Sequence, residues 1–234
     1  MATIIATLVM VQITIACVTL YLHRSQAHKA VEFHPVVAHC MRAWLWLTTG
    51  MVTREWVAIH RKHHQKSDTV DDPHSPKIYG IWQVLFGGAW LYVKAKQDKQ
   101  MVNKLGVGTP DDWVERNIYS KYPSTGIELL LFLDLLMFDW WGIAVWLVQV
   151  AWIPFWAAGV INGLAHWVGY RNYDVKDTSR NLWPWAVWIG GEELHNNHHA
   201  DGTSPKFSQR WWEFDIGWLY ITVLKAVNLA KLRA

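Results

Sequence analysis

The feature that most constrains this chain is where its cations are missing. All 22 lysines and arginines fall within residues 24–126 and 171–233. Residues 1–22 (MATIIATLVMVQITIACVTLYL) carry no charged side chain at all. At a rise of ~1.5 Å per residue, a helix of that length covers the ~30 Å hydrocarbon core of a bilayer. The segment has neither the basic start nor the small-residue cleavage site of a signal peptide, so it reads as a retained anchor. Residues 127–163 also lack lysine and arginine. As one helix they would extend ~55 Å, too far for a single crossing. Asp139 to Gly142 supplies a turn, which splits the stretch into spans at roughly 124–139 and 142–162. Asp134 and Asp139 are costly in lipid and are expected to face protein, water or the interface. Pro154 is expected to kink the later span.

The remaining charges set the orientation. Residues 54–126 hold eleven lysines and arginines and residues 171–234 hold eight. The positive-inside rule places both stretches in the cytoplasm, and the intervening hairpin returns the chain to that side. Residues 36–53 and 79–93 are apolar but too short or too interrupted to span, and read as interfacial or re-entrant helices. Tryptophan, with 18 copies, outnumbers glycine (15) and phenylalanine (7), as suits a chain at membrane–water boundaries. Two cysteines, Cys17 and Cys40, exclude a disulfide framework and a cysteine-held metal or iron–sulfur cluster. A net charge of +3 gives no footing for nucleic acid. No linker or repeat divides the chain, so residues 1–234 read as a single domain. The expected fold is an all-α integral membrane protein, a few transmembrane helices carrying a cytoplasmic helical cap.

The 12 histidines are concentrated in that cap. His23 and His28 follow the first apolar segment; His60, His63 and His64 form one His-x-x-His-His triplet and His195, His198 and His199 another. Steps of three and four residues put each triplet on one helix face. Neutral imidazole suits zinc, copper, iron and nickel, and eight such rings exceed what one ion can take, which implies two ions. On a regular helix His23 and His28 lie about 140° apart, so they are expected to serve different ions or to be separated by the helix end. Asn162 and His166 share a face at the cytoplasmic mouth of the last span, which makes His166 a further candidate ligand. His34 and His39 stay outside this set, and His74, in Asp72-Pro73-His74, is a candidate for the surrounding hydrogen-bond layer.

With these motifs in view, the chain resembles the membrane-bound fatty acyl desaturases, the group that includes stearoyl-CoA desaturases. The resemblance is carried by HRSQAH at 23–28, EWVAIHRKHH at 55–64, DPH at 72–74, NGLAHWVGYRNY at 162–173 and GEELHNNHH at 191–199. It implies two irons held by His23, His28, His60, His63, His64, His166, His195, His198 and His199, with a water held by Asn162. The activity implied is dioxygen-dependent insertion of a cis double bond near the Δ9 position of a long-chain acyl substrate, carried as acyl-CoA or acyl-lipid. The implied electron source is an external carrier such as a ferredoxin or a small haem protein with its reductase. The family usually has two spans before the first histidine box, whereas one apolar segment precedes His23 here.

The residues support that chemistry on their own terms. Breaking an unactivated C–H bond is beyond any general acid, base or nucleophile, so activated dioxygen on a redox metal must do it. Gly106-Val-Gly108 is followed by Thr109-Pro110, so no dinucleotide fingerprint supplies electrons internally. The basic stretch 54–126, with Arg171, Lys176 and Arg180, offers a surface to an acidic carrier or to coenzyme A phosphates. Hydroxylation of an alkane, fatty acid, sterol or carotenoid is the competing enzymatic reading, and the histidine spacings favour desaturation over it. A metal transporter or sensor would place polar ligands near the bilayer midplane, whereas these histidines gather at one face. Glu192 in Glu192-Glu193-Leu194-His195 is the one carboxylate spaced to bridge two ions; it is expected instead to accept an N–H from a ligand histidine. Without a bridge, the ions are expected to lie farther apart than the ~3.5–4 Å of bridged pairs. The expected setting is a bacterial inner membrane, the site on its cytoplasmic face. In the tryptophan-rich stretch Arg210–Trp218, packing of the cap is the expected role.

Overall fold

The first apolar segment runs straight into the first histidine box without a break. In the computed structural model, which describes residues 1–233, α1 is a continuous helix over Ala2–Ala27. From Val18 to Ala27 it is wound wider than an α-helix, and just past its end the His28 amide donates to the His23 carbonyl at 3.1 Å, five residues back. The strand β1 (Val31–Phe33) leads to α2 (Pro35–Thr49) and α3 (Thr53–Lys66). Local chemistry fixes the ends of α2. The His34 imidazole accepts the Val36 amide at 3.3 Å, Pro35 sits where no amide is needed, and Gly50 closes the helix at φ +61°. His34 is therefore a helix cap.

Three shorter elements follow: α4 (Pro76–Tyr79), α5 (Ile81–Ala95) and α6 (Lys99–Leu105). The hairpin is α7 (Pro123–Phe138) and α8 (Trp141–Leu164), turned at Asp139 with φ +50°. Inside it the Gln149 amide donates to the buried Asp134 carboxylate at 2.8 Å, so the acidic side chain faces protein. Pro154 marks the point where α8 also widens, over Pro154–Leu164; proline has no amide to continue the α ladder. The C-terminal third is mostly loop, with β2 (Trp185–Ala186), α9 (His195–Ala200), β3 (Phe214–Asp215), α10 (Ile216–Ala226) and β4 (Ala230–Leu232).

The helices follow the expected outline, with short strand pairs between them. The fold is mostly helical, but β1 pairs antiparallel with β4 and β2 parallel with β3. These pairings satisfy backbone groups where the chain between helices has no helical period. Of the three expected spans, α7 has 16 residues, short of the ~20 that cross a hydrocarbon core. Among the described residues, α1 and α8 are the helices long and apolar enough to cross a membrane.

The main apolar core joins α1, α2, α8 and the C-terminal segment through Ile15, Leu22, Leu45, Val160, Ile189 and Ile221. Within this region α5 lies directly against α8: a Cβ on Gly88 would meet the Ala158 carbonyl at 2.5 Å. Arg24 ties the C-terminal segment to α1. Its side chain is fully buried, donates to Asp215 at 3.0 and 3.1 Å and to Thr19 at 2.8 Å, and lies 3.8 Å over the Phe207 ring. Asp215 also accepts the Phe207 amide at 2.8 Å and caps α10 by accepting the Trp218 amide at 3.0 Å. Removing one partner of a buried ion pair typically costs ~3–5 kcal/mol. Asp215→Ala is expected to lose stability on that scale. Glu32→Ala, which removes the exposed partner of Arg233, is expected to change it by under ~0.5 kcal/mol. Thermal unfolding of the detergent-solubilised variants tests the contrast.

Candidate metal centre

Nine histidines from four segments meet in two groups. His23, His28, His60, His64 and His198 form the first; His63, His166, His195 and His199 form the second. Within each group one ligand-capable nitrogen or more per ring brings all members within 4.8 Å of one another. In the first group the Nε2 atoms face each other: His28 and His60 at 2.8 Å, His23 and His198 at 3.0 Å, His64 and His198 at 3.0 Å. In the second, His166 Nε2 and His195 Nε2 are 3.0 Å apart. His198 Nε2 has two such neighbours, yet an imidazole nitrogen carries at most one proton. Ligands bound at right angles with metal–nitrogen bonds of ~2.1 Å would be ~3.0 Å apart, so these spacings suit lone pairs converging on a cation. The Nε2 atoms of His63 and His199 are buried without a hydrogen-bond partner, again as ligand atoms would be.

The widened end of α1 explains the first group: the helix ends at Ala27, between His23 and His28, yet both rings reach the same group. A regular helix would turn them apart. The five-residue hydrogen bond from His28 to His23 instead stacks one above the other, and their rings pack edge-to-face at 4.9 Å. On α3 the i, i+3, i+4 pattern serves both groups, His60 and His64 facing one and His63 the other. Trp56, one turn before His60, stacks on that ring at 4.9 Å.

A layer of carboxylates orients four of the rings through their far nitrogens. His23 Nδ1 is 2.6 Å from Glu192, His63 Nδ1 is 3.0 Å from Asp72, His166 Nδ1 is 3.1 Å from Asp68, and His199 Nδ1 is 2.9 Å from Asp177. A proton donated from Nδ1 leaves Nε2 as a free lone pair. Glu192 lies outside the first group, against His23, rather than between the groups. Asp68, Asp72 and Asp177 were missed by the sequence reading. The signal was present for two of them, since Asp68 and Asp72 follow the second box within one loop. Asp68 holds that loop in place, accepting the Ser75 hydroxyl at 2.7 Å and the Thr178 amide at 2.7 Å. The asparagines of HNNHH were also missed. Asn197 donates to Phe207 and Glu213 at 2.9 Å and accepts from Asn172 at 2.8 Å, while Asn196 accepts the Asn172 amide at 2.8 Å. Glu213, in the tryptophan-rich stretch, closes this network by accepting the Tyr170 hydroxyl at 2.7 Å, which gives that stretch a bolting role in the cap.

Electrostatics keep the rings uncharged. Burial, then the crowding of neighbouring imidazoles, holds His60, His64, His195, His198 and His199 well below the ordinary histidine range. His63 runs the other way: burial lowers it, but the facing Asp72 carboxylate outweighs that and raises it. Burial raises Asp72, yet His63 and the His74 amide together bring it down to about 2. His74 is pushed down to about 3 by burial and by His63, whose ring lies 4.4 Å away.

The site opens onto an apolar cavity of about 300 Å³ between α3, α5 and α8. His60, His74 and Asn162 line it at the metal end. Asn162 thus faces the cavity beside both histidines. His34 and His39 lie exposed and apart from both groups. Diethylpyrocarbonate, which acylates accessible neutral imidazoles, is expected to modify His34 and His39 first and to spare the nine clustered rings until the protein unfolds. Peptide mapping reads this directly, and early modification of His63 or His198 would contradict the geometry.

Known proteins align with the chain along most of its length. A model of the fatty acid desaturase family matches residues 1–216. A sn-1 stearoyl-lipid 9-desaturase of Anabaena variabilis is 32% identical over 218 residues, covering 91% of this chain and 76% of the relative. A Delta-9 acyl-lipid desaturase 2 of Arabidopsis thaliana is 30% identical, covering 91% and 68%. A sn-1 stearoyl-lipid 9-desaturase of Synechocystis is 32% identical, covering 92% and 66%. The chain therefore spans about two thirds to three quarters of these relatives.

Proposed function

Because this chain belongs to the fatty acid desaturase family and is a fatty acyl desaturase, we propose that it inserts a cis double bond near the Δ9 position of a long acyl chain. The acyl carrier in this reading is a membrane lipid, with acyl-CoA as the alternative carrier. The observation that carries the proposal is the pair of adjoining imidazole groups, one of which lines an apolar cavity through His60. In this reading His23, His28, His60, His64 and His198 hold one iron. His63, His166, His195 and His199 hold the other, with a water on Asn162. The irons supply activation of dioxygen, which no side chain can provide. The chain itself does three things. The carboxylates Glu192, Asp68, Asp72 and Asp177 fix the ring orientations. The buried cap shields the reacting methylenes from water. The cavity walls, Trp56, Ile59 and Ala157 among them, position an apolar chain beside His60. Electrons come from an external carrier such as ferredoxin with its reductase, docking on the basic cytoplasmic face of a bacterial inner membrane.

Expression in a host lacking the activity, followed by lipid mass spectrometry with double-bond location, tests the reaction. An unsaturated chain with its bond at C9 is expected; an alcohol would replace this reading with hydroxylation. The proposed metal set predicts two irons per chain by elemental analysis. His198→Ala is expected to lower both iron content and activity at least tenfold, and His39→Ala neither. Asp177→Asn should weaken metal retention by about 10–100-fold, the scale found for such outer partners. Because Glu192 stands beside His23 in this reading, X-ray absorption should find the irons farther apart than ~4 Å. Glu192 oxygens within ~2.2 Å of both metals would refute that part.

A further inference from the structure

The cavity wall formed by α5 is also a surface of the protein. Gly88, Ala89, Tyr92, Val93 and Lys96 follow the i, i+1, i+4, i+5, i+8 spacing of one face and line the cavity. On the adjoining face of the same helix Trp82, Phe86 and Trp90 repeat every four residues and are 70%, 72% and 55% exposed. Trp82 and Phe86 stack at 6.1 Å, and the Lys94 ammonium lies 5.4 Å over Trp90. An exposed aromatic stripe ending in lysines is the pattern of a helix lying in a membrane interface. Val93 belongs to both faces: it lines the cavity and is 46% exposed. At Val93 and Lys96 the cavity wall therefore reaches the surface beside the stripe.

That stretch of the wall has its own chemistry. The Tyr92 hydroxyl is buried with no hydrogen-bond partner, in a cavity whose walls are almost all apolar. A buried donor left unpaired is costly, and the usual reason for one in a binding cavity is an acceptor on the ligand. At the rim Lys96 and Lys99 share the single Glu55 carboxylate, at 3.3 and 3.2 Å, which leaves one net positive charge. We infer that Tyr92 and Lys96 form the head-group end of the cavity, opening sideways into the membrane interface. The Tyr92 hydroxyl donates to the ester carbonyl of a lipid-borne acyl chain, and Lys96 faces an anionic head group. This rests on the reading of the cavity as the acyl site.

The test uses the full chain in nanodiscs, photolysed with phosphatidylglycerol carrying a diazirine in one chain, in ester-linked and ether-linked forms. Labelled peptides are mapped by mass spectrometry. The ester lipid is expected to label α5 and α8 around Gly88 and Ala158, and the ether lipid about fivefold less, the share of one neutral hydrogen bond. Tyr92→Phe should bring the ester lipid down to the ether level and leave the ether lipid unchanged. Equal labelling by both lipids in the unaltered chain, or a loss in Tyr92→Phe that is the same for both, overturns the role of Tyr92 and leaves the acyl cavity standing. No labelling of the cavity by either lipid overturns the reading on which it rests. Lys96→Gln should abolish preference for phosphatidylglycerol over phosphatidylcholine; a preference that survives removes Lys96 from the proposal.

Discussion

A guanidinium with no solvent exposure is the fixed point of this structure. Arg24 sits between His23 and His28 in sequence, and apart from Thr19 on its own helix its partners come from the other end of the chain. It reaches Asp215, the Gly190 carbonyl and the face of Phe207. An arginine buried there is tolerable only if its charge and donors are matched, and the matching groups flank the third histidine box on both sides. Satisfying one side chain thus brings residues 190–215 against α1 and delivers His198 beside His23. The crowding around it leaves no choice of neighbours: a Cβ on Gly191 would meet the guanidinium at 2.6 Å.

Much of this was legible because it depends on spacing. The triplet on α3 folds as the α-helix its three- and four-residue steps imply, but the single face expected of it is shared between the groups, His60 and His64 serving one and His63 the other. The apolar hairpin was legible for a similar reason, since a long cation-free stretch with an aspartate turn has few ways to fold. The step from His23 to His28 was legible only in part: the helix does end between them, but its last turns wind wider than 3.6 residues. Nothing in VTLYLHRSQA announces wider winding. It is fixed by tertiary partners, above all by Arg24 and by Glu192 against His23. The short strand pairs escaped for the same reason, being set by what lies next to them rather than by their own period.

The carboxylates were the least legible part of the site. Glu192 could be singled out because it lies three residues from a box histidine. Asp177 lies in a loop without periodicity, 22 residues before its histidine, His199. Asp68 reaches His166 across 98 residues of chain. Its own backbone, at φ +61°, is in the left-handed region that aspartate tolerates better than most residues. Sequence proximity finds ligands that share a helix; it does not find partners that meet only when loops close over them.

These carboxylates change the electrostatic argument that the sequence suggested. Neutral imidazoles alone would leave two divalent ions, a combined charge of +4, without local compensation. The structure places four carboxylates, one ring away from the ligand nitrogens. Against the upward pull of burial, their histidines hold Asp72 down to about 2 and Asp68 well below the carboxylate range, whereas burial pushes Glu192 up to about 8. Anionic charge therefore gathers behind the second group, and compensation is separate from bridging. The distribution is uneven. Asp72, Asp68 and Asp177 all stand behind the second group, whereas Glu192 alone stands behind the first. A carboxylate accepting from Nδ1 raises the basicity of the opposite nitrogen. In the proposed reading, three such ligands make the second site the more electron-rich of the pair. The first group, with five rings and one carboxylate, is the one whose His60 reaches the cavity. The asymmetry of the acids therefore distinguishes two histidine groups that the rings alone would make nearly alike.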